Sequence, residues 1–290
     1  MPTIFKHPVS LGTQTFNDPS AKPDGAVTWI IDVLDGWKDT PEPQVRSTPL
    51  GASQDGSSSA DFFPYESRFI TIGGAVYATD EAAAEALHDL IVRDVVPRNK
   101  DLFLSRDEAV PKFVTCRRSA AVETEWVMPN GFRWQTTVQC DDPLKYSPSI
   151  VSGSAGVASG LTYYRTYPRI YPLSYTISGS GDTSSVGINN AGTAATSQIY
   201  VSITGPLPAN AWRLRNDTNN GEFSVNVGLG TTDSLEISFA TQTVKLNGYE
   251  IAYQLQGDFW KMDPGTNIIR LYADYNAAST FTVVARSAWE

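Results

Sequence analysis

The sequence is poor in charge, cysteine and histidine, and it contains no long apolar run. Charged residues make up 18% of the 290 positions, below the usual quarter, whereas Gly, Pro, Ser and Thr are plentiful. This balance favours short strands joined by turns over long surface helices. No stretch approaches the roughly 20 apolar residues of a membrane-spanning helix. The first eight residues also lack the apolar core of a signal peptide, so we expect a protein made and folded in a cytoplasm.

The two cysteines and two histidines offer little for catalysis or metal binding. Cys116 and Cys140 lie in strand-like surroundings. We expect two reduced, half-buried thiols, although the two residues could also lie on adjacent strands. His7 lies near the N-terminus and His88 on the polar side of a predicted helix. Neither belongs to a recognisable catalytic triad or ligand spacing. The sequence therefore predicts no catalytic residue, no metal, no cofactor and no enzymatic activity.

The net charge of −9 and the pI of about 4.8 argue against electrostatic binding of nucleic acid or of an anionic membrane. The acidity is uneven along the chain. Residues 1–147 carry 14 basic and 21 acidic side chains, whereas residues 148–290 carry 8 and 10. We therefore expect neither nucleic acid nor a membrane surface as a partner.

A Ser/Gly-rich linker at 147–160 divides the chain into two predicted domains, 1–147 and 148–290. The first domain has the only strong helical pattern, an apolar stripe that Thr79 can cap and Pro97 ends. Its strands are predicted at 26–34, 68–77, 112–117, 122–127 and 132–139, and the last two flank a four-residue turn, 128–131. Residues 39–60, rich in Pro, Gly and Ser, form either a flexible loop or a segment ordered only against a partner.

The second domain is predicted to be entirely β. Apolar residues alternate with polar or small neighbours in four segments, and turn sequences recur at the spacing of a sandwich or barrel. The apolar sets are Ile199/Val201/Ile203, Phe223/Val225/Val227, Leu235/Ile237/Phe239 and Phe281/Val283/Ala285. The predicted fold class is therefore mainly β: a barrel-like first domain with one helix, followed by a β-sandwich.

Aromatic residues are the strongest candidates for partner contact. A short stretch combines tyrosines with arginines, a composition typical of protein interfaces: Tyr163, Tyr164, Arg165, Tyr167 and Arg169. The alternative is that these rings cover one edge of the sandwich. Trp260, in a predicted loop beside Asp258 and Lys261, is the best single candidate for stacking on a sugar.

The order of motifs near the C-terminus resembles the C-terminal domain of siphophage distal tail proteins. The motifs are Lys245–Leu246–Asn247–Gly248, Asp258–Phe259–Trp260, Asp263–Pro264–Gly265–Thr266–Asn267 and Arg286–Ser287–Ala288–Trp289. The first domain is similar to the same family, and more narrowly to minor tail proteins of actinobacteriophages. Its motifs are Asp35–Gly36–Trp37, then Ser67–Arg68–Phe69 leading to Gly73–Gly74, and Asp142–Pro143–Leu144–Lys145–Tyr146.

The resemblance implies a structural protein of the virion tail tip, with a ring-forming N-terminal domain and a galectin-like β-sandwich. It implies a homohexameric ring, closed by strand pairing between copies. The expected partners are the tail tube protein, the baseplate hub or tail-associated protein, and a receptor-binding protein or tail fibre.

A carbohydrate-binding protein is the alternative, with the sandwich holding host-wall glycans on aromatic platforms such as Trp260. Such a site needs Trp or Tyr beside Arg, Asn or Glu on one sheet face. The predicted strands place mainly small polar residues on the solvent face, including Ser202, Thr204, Ser224 and Asn226, which favours the hub. A glycosidase remains a third possibility, because paired carboxylates such as Asp258 and Asp263 are defined only by their distance in space.

Overall fold

The computed structural model describes residues 7–44, 47–49, 57–59, 64–98, 100–156, 185–210, 212–251, 255–273 and 279–290, with the backbone alone at 47–49 and 57–59. The chain divides into two compact units, residues 1–148 with residue 290, and residues 149–289. In the described part of the chain, no helix has the length and apolarity that crossing a membrane requires. The Tyr/Arg stretch 163–169 lies outside the described residues.

The first unit consists of eleven described strands and one helix. The strands are β1 (Val9–Leu11), β2 (Gln14–Phe16), β3 (Ala26–Asp35), β4 (Ser47–Pro49), β5 (Ser57–Ser59), β6 (Arg68–Ala78), β7 (Leu102–Arg106), β8 (Lys112–Arg118), β9 (Glu123–Met128), β10 (Gly131–Cys140) and β11 (Lys145–Tyr146). Helix α1 (Glu81–Leu90) continues into one π-helical turn, Ile91–Val95, closed by the bond from the Val96 N–H to the Ile91 carbonyl, 3.0 Å. Strands β4 and β5 form a separate hairpin.

Seven of these strands form a nearly closed antiparallel barrel in the order β2-β1-β7-β8-β10-β6-β3. Asn17 joins the two ends of this order. Its side chain donates to the Ile31 carbonyl and accepts from the Ile31 N–H, both at 3.1 Å, and its own N–H donates to the Trp29 carbonyl. Asn17 adopts a left-handed backbone conformation (φ 63°), which asparagine tolerates better than most residues. One side chain thus substitutes for the missing β2–β3 ladder.

The barrel core is filled from β6 and from α1, which were the clearest patterns in the sequence. Ile70, Ile72 and Val76 are fully buried on one face of β6, as their alternation predicts. Asp80, and not Thr79, caps the helix, since its carboxylate accepts the Ala83 N–H at 2.8 Å. The predicted helix is otherwise confirmed.

The β9–β10 hairpin is tighter than the sequence indicates. The predicted turn lies at 128–131, but each strand is one residue longer at this end, because Met128 and Gly131 already pair and only Pro129 and Asn130 lie between the strands. Asn130 fixes the turn to the end of β6. Its side-chain amide group donates to the Ala78 carbonyl (3.0 Å), and its backbone carbonyl accepts the Ala78 N–H (2.8 Å).

Three sequence motifs of the first unit meet around two buried cations. The Arg68 guanidinium donates to the carbonyls of Pro143 (2.8 Å) and Gly36 (3.1 Å), and the Lys145 ammonium donates to the Trp37 carbonyl (3.1 Å). Gly36 has φ 84°, and a Cβ there would lie 2.3 Å from the Phe69 carbonyl oxygen, so this position requires glycine. The motifs therefore hold the chain's turns against the end of β6.

Burial disfavours the charge on both cations. It lowers the pKa of Lys145 to about 8, helped by repulsion from Arg68, and it also lowers the pKa of Arg68. In the same unit, Cys116 and Cys140 are buried free thiols. The neighbouring Cys140 thiol, together with burial, raises the pKa of Cys116 well above its usual range.

The second unit consists of twelve described strands, most of them in two antiparallel sheets. The strands are β12 (Val151–Gly156), β13 (Ser185–Asn190), β14 (Ile199–Thr204), β15 (Trp212–Asn216), β16 (Gly221–Val225), β17 (Ser234–Ser238), β18 (Thr243–Leu246), β19 (Tyr249–Glu250), β20 (Leu255–Gly257), β21 (Gly265–Ala273), β22 (Thr280–Ala285) and β23 (Ala288–Trp289). One sheet has the order β12-β22-β14-β17-β18-β19 and the other β13-β21-β15-β16-β20. The alternating apolar residues of both sheets form a single buried cluster.

Two buried asparagines explain two of the four C-terminal motifs. The Asn267 amide group donates to the Asp263 and Gly265 carbonyls (2.7 and 3.1 Å), and its side-chain oxygen accepts the Asp263 N–H (3.2 Å), so it holds the Pro264–Gly265 loop in shape. The Asn190 side-chain oxygen accepts the Ala288 N–H, 3.2 Å. Beside it, a Cβ at position 192 would lie 1.7 Å from the Ala288 carbonyl oxygen, so glycine is required there.

The predicted fold class is confirmed. The chain is mainly β with one helix, and a nearly closed barrel-like sheet is accompanied by two further antiparallel sheets in a sandwich-like arrangement.

Candidate assembly surfaces

Among the described residues, the candidate sites are exposed surfaces, and there is no metal centre. Within them, no three His, Cys, Asp or Glu side chains are placed to hold a metal ion. His88 lies on the helix face that meets the hairpin. Its Nε2 is 3.2 Å from the Thr124 hydroxyl, and its ring meets Phe132 edge-on at 5.6 Å. This histidine packs the helix against the barrel.

Strand β9 is an exposed sheet edge. Among the described strands it pairs only with β10, so the hydrogen-bonding groups along its other side face no described strand. Three consecutive apolar residues at its end, Trp126, Val127 and Met128, are 44% to 52% exposed. An edge strand that presents apolar side chains readily pairs with another chain. Edges of this kind are usually protected by charge or by a partner.

The two faces of β9 differ in chemistry. On the helix side, Trp126 and Met128 line a shallow groove with Glu81 and Glu85 of α1, and the Trp126 ring lies 5.0 Å from the Phe132 ring. This arrangement makes an apolar groove with an acidic rim.

On the opposite face of β9, Glu123 and Glu125 line an open trough together with Asp32 and Arg133. The Asp32 side chain is almost fully buried and forms an ion pair with Arg133. The trough therefore carries three carboxylates and one guanidinium, which gives this side of the edge an excess of negative charge.

A basic and aromatic cluster covers the outer face of the five-stranded sheet in the second unit. Arg215 on β15 lies directly opposite Arg270 on β21, a pairing of like charges that is unfavourable by itself. Asp217 offsets it, since its carboxylate lies 3.4 Å from the Arg215 Nε and 2.9 Å from the Arg270 Nε. The guanidinium groups of Arg213 and Arg270 lie 5.0 and 5.7 Å from the centre of the Tyr272 ring.

The sequence did not single out this cluster. Its signal is the alternation of Arg213 and Arg215 with apolar residues, and the matching spacing of Arg270 and Tyr272. Of the four small polar residues expected on the solvent face, Thr204 and Asn226 are exposed, and Ser202 and Ser224 are half-buried.

Trp260 lies in the core of the second unit. It is only 7% exposed, its ring is 4.5 Å from the Phe239 ring, and a Cβ at Gly221 would lie 2.6 Å from its side chain. Stacking on a sugar requires an open ring face. Glycan contact at Trp260 therefore stays a prediction, and the burial of the ring does not favour it. The predicted contacts of Tyr163, Tyr164, Arg165, Tyr167 and Arg169 concern residues outside the described part of the chain.

One family model matches part of the second unit. Residues 191–289 match the family model of the siphovirus-type tail component, C-terminal domain. No curated protein sequence matches the chain.

The fold of the whole chain is similar to that of a solved phage protein. A crystal structure of the SPP1 Dit protein, described as a paradigm of the hub adsorption apparatus in phages that infect Gram-positive hosts, superposes with a TM-score of 0.62 at 16% identity, covering 97% of this chain and 98% of that one. Chains of two phage p2 baseplate structures, in the activated conformation with Ca and with Sr, align at 14% and 13% identity with TM-scores of 0.43 and 0.44. They cover 97% and 96% of this chain and 98% and 97% of theirs.

Proposed function

We propose that this chain, a siphophage tail component of the distal tail (Dit) type, is the hub that connects the tail tube to the baseplate. The observation that carries the proposal is the coincidence of two independent findings. The C-terminal family match covers residues 191–289, and the fold similarity to SPP1 Dit extends over 97% of the chain. The proposed function is structural.

In this proposal, residues 1–147 form a ring of six copies and residues 148–290 form a galectin-like sandwich. The partners are the tail tube protein, the baseplate hub protein and a receptor-binding protein or tail fibre. The exposed edge of β9 supports the ring, because closed symmetric assembly is one way to cover a sheet edge. The narrower relation to actinobacteriophage minor tail proteins belongs to the same proposal.

The test is to locate the protein in particles. Gold-labelled antibodies raised against the purified chain are expected to mark the end of the tail distal to the head. Deletion of its gene is expected to leave filled heads without joined tails. Label along the whole tail or on the head, or normal tails after deletion, would contradict a hub at the tail tip.

A carbohydrate-binding role is the second candidate, and the Arg/Tyr cluster of the second unit is the observation that favours it. Tyr272 beside Arg213, Arg215, Arg270 and Glu222 meets the stated requirement of an aromatic ring beside charged hydrogen-bonding groups on one sheet face. Arginines also suit acidic sugars, because a guanidinium binds a carboxylate or phosphate with two parallel hydrogen bonds.

A glycan array with neutral and acidic saccharides tests this role. Binding that Arg213→Gln weakens, and that Lys245→Gln on the other sheet leaves unchanged, would support it. Both variants remove one exposed positive charge. An array without any signal would remove the second candidate and leave the hub proposal as it stands.

A further inference from the structure

The two ends of α1 carry patches of opposite charge, each built around exposed apolar side chains. The acidic patch consists of Glu81 and Glu85 with Trp126, Val127 and Met128. The basic patch consists of Val92, Arg93, Arg98, Lys100 and Phe103, all of them exposed. Phe103 is 58% exposed, the highest exposure of any large apolar residue described in the first unit.

Backbone contacts fix the basic patch at the C-terminal end of the helix. Gly12 donates its N–H to the Phe103 carbonyl at 3.1 Å, and a Cβ on Gly12 would lie 3.1 Å from the Asp94 carbonyl oxygen. The end of the helical segment and the start of β7 therefore meet at Gly12. The helical segment runs for fifteen residues, from Glu81 to Val95, so its two ends lie about 20 Å apart.

The charges of the two patches complement each other. In the basic patch, Arg93 is already paired with Asp94 at 2.7 Å, and the neighbouring Asp101 is paired with Arg117. This leaves Arg98 and Lys100 as the net positive charge of the patch. In the acidic patch, Glu81 and Glu85 supply two negative charges. Contact between two acidic patches would be repulsive, whereas contact between an acidic and a basic patch is attractive and covers apolar surface on both sides.

We propose that copies of this chain dock head to tail, with the acidic patch of one copy on the basic patch of the next. This inference rests on the proposed ring and names the surfaces that close it. A contact between two different patches of identical subunits forms a closed ring when the rotation between neighbours allows it. The same contact covers the exposed end of β9 in every copy.

Zero-length carbodiimide cross-linking tests the contact on the purified chain. The reagent joins a carboxylate to an amine that touches it, so Lys100 is expected to link to Glu81 or Glu85. A mixture of ¹⁵N-labelled and unlabelled chain identifies links between copies by peptides of mixed mass. Links from Lys100 to other carboxylates only, or no mixed-mass links at all, would overturn the proposal.

Charge reversal provides the second measurement. We expect Glu81→Lys with Glu85→Lys, and separately Arg98→Glu with Lys100→Glu, to weaken self-association by tenfold or more, on the order of the cost of opposed like charges. Each double variant then carries two patches of the same sign. An equal mixture of the two is expected to restore assembly, because the reversed patches of one variant complement those of the other.

Glu250→Lys with Asp258→Lys is the matched control for the acidic-patch variant, because it makes the same change in net charge at exposed positions of the second unit. Circular dichroism confirms that each variant is folded. If folded patch variants assemble like the control, or if the mixture stays dissociated, head-to-tail docking is wrong. Label at the tail tip would still support the hub in that case, so the two proposals fail separately.

Discussion

Replacing Lys145 with methionine tests the buried cation that joins the motifs of the first unit. Lys145 is 5% exposed, and its ammonium group donates to the Trp37 carbonyl. Burial lowers its pKa from the ordinary 10.5 to about 8. Methionine fills a similar volume without a titrating group, so the comparison isolates the proton equilibrium of this one side chain.

The lowered pKa makes stability depend on pH in a defined direction. Between pH 8 and 10.5 the unfolded chain holds a proton on Lys145 that the folded chain has released, so the free energy of unfolding rises with pH. A shift of two and a half pH units corresponds to about 3 kcal/mol. The wild-type protein is therefore expected to gain about 3 kcal/mol over Lys145→Met as the pH rises from 8 to 10.5. Below pH 8 the difference should be constant.

The difference in the free energy of unfolding between the wild type and Lys145→Met at neutral pH is a poorer test than the dependence of that difference on pH. Methionine removes the cost of burying a charge, but it also leaves the Trp37 carbonyl without its donor, which costs about 1–3 kcal/mol. The two effects oppose each other. The pH dependence contains only the proton equilibrium, so it separates them.

Thiol labelling reports unfolding of the first unit alone. Cys116 and Cys140 are the only cysteines of the chain, and both are buried in this unit. A short pulse of thiol reagent at a common pH, after equilibration in urea at pH 7.5 to 10.5, gives the unfolded fraction. Lys38→Met, at an exposed position, is the control. A difference between wild type and Lys145→Met that stays flat across this range would refute the reasoning.

Three further substitutions test the fold. Ile72→Asp is expected to unfold the first unit, because it buries a charge at a fully buried position of β6. The control Phe69→Asp, at an exposed position of the same strand, should leave the thiols protected from labelling. A soluble Ile72→Asp protein with protected thiols would mean that the strand register is wrong. Asn17→Ala should lower the free energy of unfolding by roughly 2 kcal/mol in urea, since it removes the bridge to Ile31 and places alanine at positive φ; an unchanged urea midpoint would show that the barrel seam needs no bridge. Trp260→Ala should destabilise the second unit by about 3–5 kcal/mol in thermal unfolding, because the ring is core; unchanged stability would restore Trp260 as a surface candidate.

Periodicity predicted the elements that bury one face and are long enough to show it. Strand β6 and helix α1 were placed within a few residues of their observed bounds, and so was β22. Strands β1, β2 and β7 were missed. They have only three to five residues, too short for alternation to differ from chance, and β1 and β2 are held in the barrel by neighbours distant in sequence.

The sites were harder to predict than the fold, because they depend on residues brought together across the sheet. Trp260 was assigned to a loop from its polar neighbours, but the loop folds back so that the ring packs on Phe239. The Arg/Tyr cluster requires the register that sets Arg215 opposite Arg270, and no local pattern contains that register. The acidic and basic patches combine residues of a helix, a hairpin and a strand, so neither patch can be predicted from one segment of the sequence.

The motifs behind the family resemblance and the surfaces proposed for assembly are different sets of residues, and this separation has a physical reason. The described motif residues act inside the units: Arg68 and Lys145 hold turns against β6, and Asn267 holds a loop of the sandwich in shape. Such positions need one particular side chain, because a buried carbonyl accepts few alternatives. An exposed patch needs only charge and apolar area, which many residues supply. The motifs therefore identify the scaffold, and the partners must be found from exposed side chains such as Trp126 and Phe103.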